Sequence, residues 1–380
     1  MNFREQAQRQ LDYVVGLRRH FHANPELAYQ EFATTDRIAE ELSSMGIPFA
    51  RLTPTGLVGE IAGAHPGRTL LIRAEIDALP IQEETEVPFR SRTDGIMHAC
   101  GHDANTAMLL GAARVLTDMR EQLHGNVRLL FEPAEELNNG AAAVIAQNVL
   151  EGIDAVLALH ISSQVPSGAI CIGGGAILPQ ATYFRIQVTG KSTHGALPER
   201  GANAAVAAAA IAVHMQSIVP LEHSAYDRVL ISLGTLHSGS SPNTCPESAQ
   251  LEGTIRAYTK EATGKVVESL RRMAESCAAI YRCTAQVHTE TVCEALVNDE
   301  ELYQLSRQSA LEVTDQVLPF IRTMASDTFS EYCLRRPSMY VAVGVGGEYP
   351  QHSSRYTIDE QALATGVAFE VDFASRYLIN

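Results

Sequence analysis

Short, fully apolar runs alternate with helical stretches through the first part of the chain. Residues 57–62, 69–73, 127–131 and 155–159 read as strands, while residues 34–45, 105–116 and 141–150 read as helices. Apolar strands alternating with helices predict an α/β domain with a mainly parallel sheet covered on both faces. The middle of the chain changes rhythm: strand 183–188, an Ala-rich helix 202–213, strands 229–236 and 251–258, an amphipathic helix 268–281 and strand 284–289. That βαββαβ order is the ferredoxin-like arrangement. Helical stretches at 299–312 and 361–377 then flank an apolar strand, 339–343, that can rejoin the first sheet. The expectation is a discontinuous first domain, 1–180 and 292–380, with a second domain inserted at 181–291.

Composition narrows the classes of function. The chain has 380 residues, 46% of them apolar, enough for two cored domains. Its 29 basic and 44 acidic side chains leave a net charge of −15. A surface this acidic repels phosphate, which argues against nucleic acid or anionic membrane as partners. No uninterrupted apolar window reaches about 18 residues, and charges fall where a signal peptide needs an apolar run. A cytoplasmic location is therefore expected. Seven cysteines, at 100, 171, 245, 277, 283, 293 and 333, form no CxxC pair and read as small buried hydrophobes. Cys100 is the exception.

Ligand sites in open parallel sheets lie beyond the carboxyl ends of the strands. Glu75 and Asp77 follow the second strand, Glu135 and Glu136 the third, and His160 the fourth; the segment HACGHD supplies His98, Cys100, His102 and Asp103 just before a helix. This mixture of sulfur, nitrogen and oxygen donors suits borderline transition ions, and a pair of them is plausible chemistry for activating water. Adjacent acids allow one to ligate while the other moves protons. Each piece also has a plainer reading. PAEE can be the acidic first turn of a helix, Asp103 a helix N-cap, His160 a hydrogen-bonded core histidine, and Cys100 a redox thiol.

With these residues in place, the chain resembles the aminoacylase-type dinuclear metallopeptidase and amidohydrolase family. Its nearest branch holds the hippurate hydrolases, auxin–amino acid conjugate hydrolases and N-acetyldiaminopimelate deacetylases. The similarity runs nearly end to end, through RRHFHANPELAYQE, RAEIDALPIQEET, GIMHACGHDANTAMLLGAA, FEPAEE, GKSTHGALPERGANA, GTIRA and QHSSRYTIDEQAL. The resemblance implies metal ligands at Cys100, His102, Glu136, His160 and His352, the last of which spacing alone does not single out. It implies Glu135 as general base, Asp77 as an acid orienting a site residue, and His194 as a donor to the tetrahedral oxyanion, often across a dimer. Arg256 and Asn243 are weaker candidates for binding a substrate carboxylate or oxyanion. For Arg256, an ordinary ion pair at a strand end is an equal alternative.

The implied reaction is metal-dependent hydrolysis of N-acyl amino acids, using two divalent ions (Zn, Mn, Co or Ni) in a homodimer or higher homo-oligomer closed by the inserted domain. A dipeptidase, a dedicated deacetylase of a biosynthetic intermediate and a non-catalytic amino-acid or metal-binding protein are the rival readings. Four departures bear on specificity. Where many relatives carry GSEDF, residues 325–329 read ASDTF, so Asp327 shortens an acid and Thr328 replaces another. Asn105 stands where many relatives have a histidine, and Glu75 replaces a common aspartate. ISSQVPSG, after His160, lacks the aromatic often found there.

Overall fold

The apolar runs become strands whose large apolar side chains are mostly buried. Leu70, Leu71, Ile72, Leu129, Phe131, Val156 and Leu157 are fully enclosed. The computed structural model describes residues 2–224 and 226–379. Its chain separates into two compact units, one of residues 1–175, 297–321 and 328–380 and one of residues 176–296 and 322–327.

The first unit is built on an eight-stranded sheet, in the order Phe49–Arg51, Leu57–Ala62, His124–Glu132, His65–Glu75, Ala155–Ser162, Ser338–Gly344, Ile170–Ile172 and Val317–Pro319. The central pairs are parallel. Antiparallel pairs occur on either side of them, so the sheet is mixed rather than mainly parallel. The expected strand Leu57–Ala62 itself pairs antiparallel with His124–Glu132, and the short strands Phe49–Arg51 and Ile170–Ile172, which only a neighbouring strand makes regular, add the other antiparallel pairs.

Helices Phe3–Ala23, His102–Asp118 and Leu363–Ile379 pack on one another and share the sheet's core. The first buries Phe3, Ala7, Leu11, Val14, Leu17 and Phe21 along one stripe, spaced every three or four residues. Asn2 caps it by accepting from the Glu5 backbone N–H at 3.2 Å.

The second unit holds an antiparallel sheet in the order Val229–Ser238, Ser248–Ala257, Gln180–Thr189 and Thr284–Cys293. Helices Ala204–His214 and Lys260–Ile280 pack on it, giving a core of Ile186, Val188, Ala207, Ile211, Leu251, Leu270 and Ala274. The helical stretch Ala204–Glu222 is long and apolar enough to cross a membrane by length and composition alone. Ala204, Ala207, Ala208, Ile211, Met215 and Ile218 are nevertheless buried within this unit's core.

The unit's limits differ from the expected 181 and 291 because it extends to Ala176 and Leu296 and takes in Arg322–Asp327. Three contacts tie that returning segment down. The Tyr258 hydroxyl donates to the Thr323 carbonyl at 2.6 Å, Arg256 Nε to the Met324 carbonyl at 3.1 Å, and the Cys293 thiol to the Asp327 carbonyl at 3.2 Å.

Candidate metal centre

Three parallel strands of the first unit point their carboxyl ends the same way, and the polar segments beyond them converge. His102 enters on the first turn of its helix, whose N-cap is Gly101 with φ of +95°. A Cβ there would sit 2.3 Å from Ile161 Cδ1, so both the backbone angle and the space demand glycine. Asp77 fixes the imidazole: its side chain accepts from His102 Nδ1 at 3.1 Å and its carbonyl at 3.0 Å. This leaves His102 Nε2 facing the site. Asp77 Oδ2 also accepts from the Glu136 backbone N–H at 3.0 Å, so one carboxylate orients two arms of the cluster.

Glu135 and Glu136 ride a single 3-10 turn, Glu135–Leu137, entered through Ala134 at φ of +57°. PAEE is therefore a tight turn rather than the start of an α-helix. Buried Glu31 steadies it by accepting from the Ala134 N–H at 2.9 Å. His160 lies on its strand with Nδ1 donating to the Ile161 carbonyl at 2.8 Å, which leaves Nε2 3.6 Å from Cys100 Sγ. His352 arrives from a loop at φ of +66°, with its backbone N–H bonded to the Ala99 carbonyl at 2.8 Å. Its Nε2 lies 3.6 Å from Glu136 Oε1.

The result is three overlapping donor sets, each within 4.8 Å: Cys100, His102 and His160; Cys100, Glu136 and His352; and His102, Glu135 and Glu136. All five side chains expected as ligands fall in these sets, together with the expected base.

The chemistry of the donors fits a cation. His102 Nε2 and Glu136 Oε1 are buried and have no hydrogen-bond partner among the described residues. Burial, the largest influence, pushes the Cys100 thiol well above its usual range. A divalent ion satisfies both orphaned atoms and makes the thiolate the favoured form.

Behind this cluster lies a second group, built on Arg73, Glu75 and Glu132, of which the sequence singled out only Glu75. Arg73 is fully buried beside two buried carboxylates, Glu75 and Glu132. Arg73 Nε and Nη2 donate to Glu132 at 3.1 and 2.8 Å, and the Tyr332 hydroxyl donates to the same carboxylate. Burial is the largest influence and opposes ionisation of Glu75, but the guanidinium together with the His160 and His102 rings outweighs it and lowers the Glu75 pKa to about 2. Burial raises that of Glu132. Asn105 joins this group to the metal-binding side: its Nδ2 donates to Glu75 at 3.0 Å and its Oδ1 accepts from the Ile161 N–H at 3.1 Å. The available signal was a lone arginine inside the apolar run TLLIRAE, since a charge in a buried strand requires a partner.

Asp103 is not an N-cap. It accepts from Arg18 Nε at 2.9 Å and lies 2.8 Å from His22 Nδ1, tying the first helix to the ligand-bearing one.

His194, Asn243 and Arg256 belong to the second unit. His194 is exposed and pairs with Thr244 in a two-residue ladder, while the neighbouring Asn243 carbonyl accepts from the Gly195 N–H at 2.8 Å. Besides its bond to Met324, Arg256 keeps Nη1 buried and unpartnered among the described residues, so it is no surface ion pair.

Comparison with known proteins agrees with this geometry. The chain is 36% identical to thermostable carboxypeptidase 2 of Saccharolobus solfataricus, over 96% of this chain and 95% of that protein. It is 35% identical to an N-acetyl-L-cysteine deacetylase of Bacillus subtilis, over 96% and 88% of the two chains. A crystal structure from Bacillus subtilis, described as a dinuclear metal binding peptidase from the M20 family, superimposes with a TM-score of 0.89 at 32% identity, covering 98% of this chain and 99% of that one. The family model for peptidase family M20/M25/M40 matches residues 71–376, which span every strand end that carries the donor cluster, and the chain belongs to that family.

Proposed function

We propose that the protein is a metal-dependent amidohydrolase that cleaves the amide bond of N-acyl amino acids, releasing a carboxylate and a free amino acid. The observation that carries this reading is the convergence of Cys100, His102, His160, Glu136 and His352, with orphaned atoms at its centre and a second acid, Glu135, beside it. Cys100, His102 and His160 form one side of the site, and Cys100, Glu136 and His352 the other. Together they would hold two divalent ions, with Zn, Mn, Co and Ni all compatible with the donors. When bound, such a pair supplies acidified water and polarisation of the amide carbonyl.

The protein's own groups carry out the rest. Glu135 takes the proton of the attacking water and returns it to the leaving amine. Asp77 holds the His102 ring and the Glu136 turn in register. His194 donates to the oxyanion as charge develops on it, a contribution of about 10²–10³ in turnover for such a donor. Arg256, with a free buried Nη1, and Asn243 bind the substrate's carboxylate end.

The second unit is assigned as a ferredoxin-like lid that also dimerises, in a cytoplasmic enzyme. The relative named as an N-acetyl-L-cysteine deacetylase supports the acyl-amino-acid class. The test is amine release from N-acetyl, N-benzoyl and indole-acetyl amino acids and from dipeptides, by metal-stripped protein and after addition of each metal. Metal-dependent release from an acyl-amino-acid group is expected. Release from dipeptides alone would replace the reading with a peptidase, and no release with any metal would overturn it.

A further inference from the structure

We propose that Thr328 is a positioning residue for the Glu135 carboxylate, anchored in turn on the buried Arg73 cluster. This inference rests on the reading of Glu135 as general base. Two donors of one residue converge on one oxygen: the Thr328 backbone N–H lies 3.3 Å and its hydroxyl 3.4 Å from Glu135 Oε1. The hydroxyl oxygen is also 3.3 Å from Arg73 Nη2 and 3.4 Å from Glu132 Oε1.

A guanidinium only donates, so the Thr328 oxygen accepts from Arg73 and has a single hydrogen left to give. Glu132 already receives Arg73 Nε, Arg73 Nη2 and the Tyr332 hydroxyl. Given to Glu135, at the same 3.4 Å as Glu132, the remaining hydrogen joins the backbone N–H of the same residue on one oxygen. Gripped at Oε1 by an N–H and an O–H, the Glu135 carboxylate cannot turn freely, and its other oxygen meets the water in one orientation.

The anchor is rigid because Thr328 is itself buried, at 3% exposure, and Arg73 is completely enclosed. Displacing a catalytic group by about 1 Å costs about 10²-fold in rate, so an orienting hydroxyl has a measurable effect. An acid at this position, the residue type the family resemblance leads one to expect, would face both Glu132 and Glu135 without a hydrogen to offer when ionised.

The experiment uses the full chain with its metal content measured, on an N-acyl amino acid that the parent hydrolyses. Thr328→Ser, Thr328→Ala and Thr328→Val are compared, because Ser and Ala differ by the one oxygen in question while Val keeps the volume. Ala and Val should lower kcat by about 10- to 100-fold at unchanged KM and metal content, with Ser restoring parental turnover. Alanine leaves a gap and valine does not, so a folding defect in one leaves the other as the probe.

Parental kcat in Ala and Val, or a Ser variant as slow as Ala, would overturn the proposal. So would a rise in KM alone. Glu135→Gln measured in the same series separates the two ideas. Parental turnover there removes the base assignment itself, whereas an inactive Glu135→Gln beside a fully active Thr328→Ala removes only the role of Thr328.

Discussion

At the carboxyl ends of the same strands sit two groups of ionisable side chains made from similar residues. In the outer one, His102 Nε2 and Glu136 Oε1 are buried without hydrogen-bond partners among the described residues. In the inner one, the Glu75 and Glu132 carboxylates close on Arg73, and Tyr332 adds a further donor. The inner group carries its own cation in Arg73, whereas in the outer group Glu136 has only histidines as basic neighbours among the described residues. Acids and histidines gathered at strand ends therefore do not by themselves define a ligand site; the orphaned atoms do.

That contrast predicts that damage to the outer group costs activity, and damage to the inner group costs the fold. The largest effect is expected from Glu135→Gln, which should lower turnover by about 10²–10⁴-fold while leaving the urea unfolding midpoint unchanged. Arg73→Met should lose about 3–5 kcal/mol in urea titrations, because two acids are left without their partner, whatever turnover remains. Adding Glu132→Gln should recover part of that loss, and an uncoupled, additive double variant would dissolve the inner group as a unit.

Next in size is the metal itself. At about 100 times its dissociation constant a divalent ion should stabilise the stripped protein by about 2.7 kcal/mol, read as a rise in melting temperature. The rise should vanish in His102→Ala and persist in Glu75→Gln. A loss in both would merge the two groups into one.

The smallest effect is a slope. Burial disfavours the Glu75 carboxylate, but Arg73, His160 and His102 together more than compensate and depress its folded pKa to about 2 from an ordinary 4.5. The stability it contributes is complete above pH 4.5 and drains away as pH falls toward 2. Unfolding free energy measured across that range should fall less steeply in Glu75→Gln than in the parent.

How much of this was legible depended on whether a residue's environment is local. The strand Ala155–Ser162 contains the apolar run 155–159 because burial on both faces writes itself into consecutive residues. Val317–Pro319 is three residues long and regular only through its pairing with Ile170–Ile172. The helix Phe3–Ala23 carries Arg18 and His22 on its buried side, where their partner Asp103 lies far along the chain, so charge disguises an inward face. In the site, Cys100, His102, Glu135, Glu136 and His160 follow strands or begin a helix and are readable from position. His352 sits in a loop at positive φ, and only the family resemblance pointed to it. Thr328 stood out as a departure, but its meaning depends on Arg73, which lies 255 residues away.

The Arg73 cluster also constrains the order in which this sequence can change. Losing the arginine first strands two enclosed carboxylates, whereas losing Glu132 first leaves Glu75 as counter-ion. Single-step routes toward an apolar version of this core are therefore directional, with an acid surrendered before the guanidinium, and the three positions behave as one epistatic unit in any library that varies them.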